Sequence, residues 1–156
     1  MKTVLLRSQV ALLVAVSMFS AQSLVAEEQA TSKAKECSKA TLSGSFGYSS
    51  TGTLLDSYVP APYAGPFGEV GRQTFDGKGN TSAKATTSSN GNIAPVTIEG
   101  TYTVNSDCTG SMTLNVSPFD SVVHADFVID DDGAQLRAIG TDSGLIETRV
   151  YSKQCR

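Results

Sequence analysis

The chain has 156 residues, with 12 basic and 15 acidic side chains and a formal net charge of −3 at pH 7. It contains 14 glycines, no tryptophan and many serines and threonines, so it lacks the surplus of helix-forming residues that a coiled coil or a helical bundle requires. This composition favours a compact all-β protein with many turns. The low content of basic residues argues against a nucleic-acid partner, which would need a basic surface.

Residues 1–26 have the three-part pattern of a secretory signal peptide. Lys2 and Arg7 form a basic start, an apolar run extends from Val10 to Phe19, and the small residue Ala26 provides a cleavage point. A membrane anchor is the alternative, but the apolar run is shorter than the roughly 20 residues of a spanning helix. Cleavage would remove two basic residues and no acidic ones, which changes the net charge from −3 to −5. We therefore expect a secreted or periplasmic protein with no membrane insertion after cleavage.

The rest of the chain is expected to form a leader and one β domain. Residues 27–40 are charged or small without apolar periodicity, which predicts a flexible leader, and residues 41–156 form the domain. Within the domain, turn clusters such as Asp76-Gly77 and Asn90-Gly91 separate strand-like runs. The intervals predict eight strands, near residues 41–52, 67–75, 80–88, 96–105, 110–117, 121–130, 134–140 and 145–152. Eight short antiparallel strands close most economically into an up-and-down barrel, since closure removes exposed edges, and a β-sandwich is the alternative.

The two ends of such a barrel differ in their loops. One end, which we name the closed end, carries tight turns at Asp76, at Asp107 and at residues 130–132. The other end, which we name the mouth, carries the longest connection, residues 55–66, with Tyr58 and Tyr63. A long aromatic loop over a barrel mouth is a common place for ligands. The same composition also suits a purely structural loop.

The three cysteines all fall at the closed end. Their spacing matches neither a redox CxxC pair nor a zinc site, and His124 is the only histidine. For an exported protein we expect one disulfide and one remaining thiol. The first and last strands of a closed meander are neighbours, which brings Cys37 near Cys155, but the leader could also cross to Cys108. The strand pattern permits either pairing.

The sequence contains no recognisable catalytic or metal-binding motif. It has no phosphate-binding glycine loop and no G-x-S-x-G elbow to present a nucleophile beside His124 and Asp126. The acidic run at residues 130–132 lacks the spacing of a calcium loop, so we interpret it as a hairpin turn. We expect neither a cofactor nor a metal ion.

Charged side chains inside the predicted strands could face either the barrel interior or the solvent. If the interior received Glu99 with Arg72, the carboxylate could orient a ligand or transfer a proton. Because the apolar faces of the fourth and sixth strands form the better core, we expect the charges to lie outside. Tyr48 and Tyr102 are then better cavity-lining candidates, each with a ring and a hydroxyl, although a core tyrosine would show the same pattern. The charged set is Arg72, Glu99, His124, Asp126, Glu147 and Arg149. The candidate ligand-binding set is Tyr48, Tyr58, Tyr63, Arg72, Glu99 and Tyr102.

Five sequence runs form a pattern when they are taken together: CSKATLSGSFGY at residues 37–48, VGRQTFDGKGN at 70–80, GTYTVNSDCTG at 100–110, DFVID at 126–130 and TDSG at 141–144. This pattern resembles that of small exported bacterial proteins similar to the allene oxide cyclase barrel-like group. The resemblance extends over residues 37–154 and implies an eight-stranded antiparallel barrel of the calycin type with an internal cavity. It also implies a disulfide between Cys37 and Cys108, which would leave Cys155 as the unpaired thiol.

Three functions are consistent with these observations. The first hypothesis is a non-catalytic exported barrel that binds an apolar or amphipathic small molecule in its cavity. The alternative is a cyclase or isomerase that confines a reactive apolar substrate, similar to the allene oxide cyclase group, because shape and a few polar groups can catalyse such a reaction. The third is an envelope or matrix protein with no ligand. No catalytic residue can be carried over from the resemblance.

Overall fold

The computed structural model describes residues 36–155, so the predicted signal peptide and most of the predicted leader lie outside the described residues. Eight strands follow one another along the chain: β1 (Ser43–Leu54), β2 (Gly65–Asp76), β3 (Asn80–Ser89), β4 (Asn92–Val104), β5 (Thr109–Ser117), β6 (Ser121–Asp130), β7 (Gln135–Gly140) and β8 (Leu145–Lys153). Each strand pairs antiparallel with the next, and β8 pairs with β1 to close the barrel. This confirms the predicted eight-stranded antiparallel up-and-down barrel.

Side chains alternate between the interior and the outer surface, as the pleat of a strand requires. On β4, Val96, Ile98 and Tyr102 are buried, and on β6 the residues from Val123 to Ile129 are buried at every second position. The predicted core faces of these two strands are therefore the observed ones. Between residues 36 and 155, the helical elements are three 3₁₀ turns at 39–41, 61–63 and 131–133, and none is long enough to cross a membrane.

The closed end is filled by aromatic side chains. The ring of Phe75 contacts the rings of Phe46 and Tyr102 edge to face, with centroids 5.4 and 5.2 Å apart. Tyr102 donates a hydrogen bond from its hydroxyl to the carbonyl oxygen of Leu42, 3.0 Å away, and Leu42 is fully buried. The chain before β1 thus packs across this end of the barrel.

A disulfide fastens the same segment. Cys37 and Cys108 are bonded with their Cα atoms 4.9 Å apart, and the Cys37 amide donates to the carbonyl oxygen of Ser106 at 3.1 Å. Cys155 is exposed and is not in a disulfide. Of the two pairings that the strand pattern permits, the structure has Cys37 with Cys108.

The tight turn between β2 and β3 is held by one carboxylate. Asp76 accepts hydrogen bonds from the backbone amides of Lys78, Gly79 and Asn80 at 2.7 to 2.9 Å, and from the Asn80 side chain at 2.7 Å. These bonds, that of the Asn80 side chain first, hold the pKa of Asp76 well below its usual range. This is the local chemistry that the Asp-Gly signal in the sequence predicts.

Candidate functional site

The mouth half of the barrel contains a cavity of about 410 Å³. The parts of the strands nearer the mouth form its wall, and the long connection between β1 and β2 forms its rim. Its apolar lining includes Leu54, Phe67, Val96, Val116, Val123 and Leu145. Packed aromatic rings fill the interior near the closed end, and the cavity lies between them and the mouth.

A row of polar side chains crosses one side of the interior at the inner end of this cavity. In the strand register, Thr87 of β3 pairs with Glu69 of β2, Glu69 pairs with Ser50 of β1, and Ser50 pairs with Arg149 of β8. All four point inward, and Glu69 and Arg149 are only 8% and 3% exposed. We name these four residues, with Glu147 of β8, the polar arc. The facing strands β4, β5 and β6 contribute valines, so the cavity has a polar side and an apolar side.

The polar arc is joined by hydrogen bonds and an ion pair. The Arg149 Nε donates to Glu147 Oε1 at 2.7 Å, and the Ser50 hydroxyl donates to the same oxygen. The Tyr48 hydroxyl donates to Glu69 Oε1 at 2.7 Å, and its ring lies under the Arg149 guanidinium, 5.7 Å from Cζ. Buried charges require such pairing because desolvation costs several kcal/mol per ion, by order of magnitude.

Burial shifts the pKa values of this cluster. It raises the pKa of Glu69, against the opposing effects of Arg149 and of the Tyr48 hydrogen bond. It also raises the pKa of Tyr48, with Glu69 as the next cause. Burial alone would lower the pKa of Arg149, but the nearby Glu147 and Glu69 raise it, so the guanidinium keeps its charge.

Three buried polar atoms have no hydrogen-bond partner in the part of the chain that the structure describes. They are Tyr58 Oη, Thr87 Oγ1 and Arg149 Nη1, and all three residues line the mouth cavity. The Glu69 carboxylate lies 3.9 Å from Arg149 Nη1, which is too far for a hydrogen bond. Buried polar atoms are nearly always hydrogen-bonded in folded proteins, so the presence of three unpartnered atoms in one cavity makes it the candidate site.

A second concavity, of about 730 Å³, lies on the outer surface of β5, β6 and β7 near Ser111, Val128 and Ile139. It is an open groove between outward-pointing side chains. None of the unpaired buried atoms named above lies in it. The mouth cavity is therefore the candidate site.

The six residues proposed from the sequence as ligand-binding lie in different parts of the barrel. Tyr58 and Tyr63 line the cavity from the mouth loop, and Tyr48 lies beneath it against Glu69. Tyr102 is in the aromatic packing of the closed end. The other two, Arg72 and Glu99, are exposed on the outer surface.

The alternative in which the interior receives Glu99 with Arg72 is wrong, and so is the assignment of both as ligand-binding residues, because strand parity places them outside. On β2 the inward positions are those of Glu69, Gln73 and Phe75, so Arg72 points outward. On β4 the even-numbered positions are buried, and Glu99 points outward for the same reason.

Four of the six charged strand residues lie outside as expected, and two do not. His124 is exposed and its Nδ1 lies 2.7 Å from Asp142 Oδ1, so its partner is Asp142 rather than Asp126. Glu147 and Arg149 are inside, contrary to the expectation that all these charges face solvent. Sequence reasoning also missed Glu69 and Thr87. Counting by twos from Phe75, a strong core candidate, would have placed Glu69 inside.

Comparison with known proteins identifies the class of fold. No family model matches the sequence, and no curated protein matches it. A redesigned beta barrel, b11L5F_LGL, is similar in structure with a TM-score of 0.54 and 20% identity, covering 75% of this chain and 95% of that one. The structure of EF1p2_mFAP2b bound to DFHBI is similar with a TM-score of 0.51 and 13% sequence identity, covering 73% of this chain and 94% of that one. The redesigned beta barrel mFAP1 bound to DFHBI is similar with a TM-score of 0.50 and 16% sequence identity, covering 74% of this chain and 97% of that one. These likenesses show a β-barrel fold.

Proposed function

We propose that this protein binds an apolar or amphipathic small molecule in its mouth cavity. The observation that carries the proposal is a cavity inside the barrel, open at the mouth, in which apolar walls face a polar arc with unpaired buried atoms. Its volume, about 410 Å³, lies within the roughly 300–1,000 Å³ of small-molecule sites. Two barrels of similar structure are known bound to DFHBI, which supports binding by analogy of fold. A cavity inside the barrel fits a binding function better than it fits an envelope or matrix protein with no ligand.

The proposal includes export to an oxidising compartment. The pattern of residues 1–26 is that of a signal peptide. A disulfide such as that between Cys37 and Cys108 persists in secreted and periplasmic proteins and is rare in the cytosol.

A cyclase or isomerase similar to the allene oxide cyclase group is the second candidate. It is favoured by the hydrogen bond of Tyr48 to Glu69, 2.7 Å long, at the cavity floor. Since burial raises the pKa of Glu69, this carboxyl group holds a proton more readily than an exposed glutamate does and could transfer it to a bound molecule. Conversion of a bound molecule into an isomer of the same mass, lost in Glu69→Gln while binding is kept, would favour this candidate.

Binding is tested with an uncharged fluorescent probe and a pair of tryptophan variants. Val123 points into the cavity, and Val128, on the same strand, points outward. We expect N-phenyl-1-naphthylamine to bind the wild type and Val128→Trp at one site with equal affinity. Its affinity for Val123→Trp should fall at least about tenfold because the indole occupies the cavity.

A second filling variant, Val116→Trp, guards against a folding defect of the first, and thermal unfolding of each variant confirms that it is folded. Equal probe affinity in all four proteins, or no saturable binding to the wild type, would contradict the proposal.

A further inference from the structure

The unpaired atoms of the cavity differ in what they can bond. A guanidinium nitrogen only donates hydrogen bonds, whereas a hydroxyl can donate or accept. Arg149 Nη1 can therefore be satisfied only by an acceptor atom, and the hydroxyls of Tyr58 and Thr87 can donate to the same atom or its neighbours. The ligand atom that completes this site must accept hydrogen bonds.

The charges already present limit the acceptor to an uncharged group. The charge of Arg149 is balanced by Glu147, which accepts from its Nε at 2.7 Å. Glu69 lies 3.9 Å from Arg149 Nη1, where an anionic head group would have two carboxyl groups as neighbours. Two carboxylates in one site repel each other. A carbonyl oxygen accepts two hydrogen bonds and brings no charge.

The opposite side of the cavity fits the remainder of such a molecule. Val96, Val116 and Val123 face the polar arc from β4, β5 and β6, and Leu54 and Leu145 add apolar surface at the mouth ends of β1 and β8. A flat or branched hydrocarbon body would bury its surface there. Its carbonyl edge would lie against Thr87 and Arg149.

We propose that the ligand is an uncharged carbonyl compound, such as a ketone or an ester, whose carbonyl oxygen accepts hydrogen bonds from Arg149 and from the hydroxyl of Thr87 or Tyr58 and whose hydrocarbon body lies against the valine wall. This inference rests on the proposed binding function and specifies its ligand class.

Three molecules of nearly equal shape separate the possibilities: 2-acetylnaphthalene, 2-ethylnaphthalene and 2-naphthoate. Their affinities for the purified protein with its disulfide intact are measured by calorimetry at pH 7. We expect the ketone to bind about tenfold more tightly than either the hydrocarbon or the carboxylate, because only the ketone supplies an uncharged acceptor.

The variant Tyr58→Phe/Thr87→Val removes two of the unpaired hydroxyls and preserves side-chain shape. We expect the ketone's advantage over the hydrocarbon to fall to about threefold or less, with affinity for the hydrocarbon unchanged. The matched control is Thr86→Val/Thr97→Val, since both side chains are exposed on the outer surface of the neighbouring strands β3 and β4 and neither lines the cavity. It should keep the full preference.

The possible failures are distinguishable. Equal binding of hydrocarbon and ketone to the wild type, or a full ketone preference in Tyr58→Phe/Thr87→Val, overturns this inference and leaves the binding function standing. Tightest binding of 2-naphthoate overturns it in favour of an anionic ligand. If none of the three molecules binds and N-phenyl-1-naphthylamine does not bind either, the proposed function fails with it.

Discussion

Glu69 is a buried carboxyl group whose protonation is linked to the stability of the fold. It is buried, accepts a hydrogen bond from Tyr48, and faces Arg149 and Glu147 of β8 and the uncharged Thr87 of β3. Burial raises its pKa above the ordinary value of 4.5. A carboxyl group of this kind stabilises the fold fully below its unfolded-state pKa, and that contribution is lost as the pH rises through the folded-state pKa.

We therefore predict a pH-dependent difference between the wild type and Glu69→Gln. From about pH 4.5 upward, the free energy of unfolding of the wild type should fall relative to that of the variant, by at most about 1.4 kcal/mol per pH unit. Urea unfolding at a series of pH values measures both. Glu99→Gln is the control, because Glu99 is exposed and the variant should follow the wild type. Parallel pH profiles for Glu69→Gln and wild type would show that burial does not perturb this group.

Among the strands, β8 shows why sequence pattern alone did not locate the site. Its inward residues are Leu145, Glu147, Arg149 and Tyr151, while Ile146 and Val150 are 60% and 50% exposed. Apolar residues thus occur on both faces, and a rule that buries the more apolar face cannot choose between them. The register with β1 determines which face of β8 points inward, because it pairs Tyr151 with Tyr48 and Arg149 with Ser50.

The segment before β1 is the element whose stability is easiest to test. The disulfide joins Cys37 to Cys108 across a sequence separation of 71 residues. Closing a loop of this size in the unfolded chain is worth about 4 kcal/mol by loop entropy. We predict that Cys37→Ser/Cys108→Ser lowers the free energy of unfolding by about this amount, as measured by urea unfolding. Cys155→Ser should leave the free energy of unfolding unchanged, since Cys155 is exposed and is not in a disulfide. An equal loss of stability in Cys155→Ser would contradict the assignment of the effect to the disulfide.

At the scale of the whole molecule, the fold could be predicted and the site only in part. Turn signals such as Asp76-Gly77 and the alternation on β4 and β6 involve residues close together in the sequence, so the number of strands can be read from the sequence. Closure of eight short strands into a barrel is then predicted from that number. The cavity depends on relations between distant strands, such as Thr87 beside Glu69 and Ser50 beside Arg149. The mouth loop was identified because its length and aromatic content are also local features.

The most direct test of the central claim is to map where a small molecule binds. Amide chemical shifts of the isotope-labelled protein are followed during titration with N-phenyl-1-naphthylamine. We predict saturable changes concentrated at the mouth cavity, including Thr87, Val96 and Leu145, with little change at Cys108 in the closed end. The largest changes around Val128 in the outer groove, or no saturable change at all, would contradict the claim that the barrel interior is the binding site.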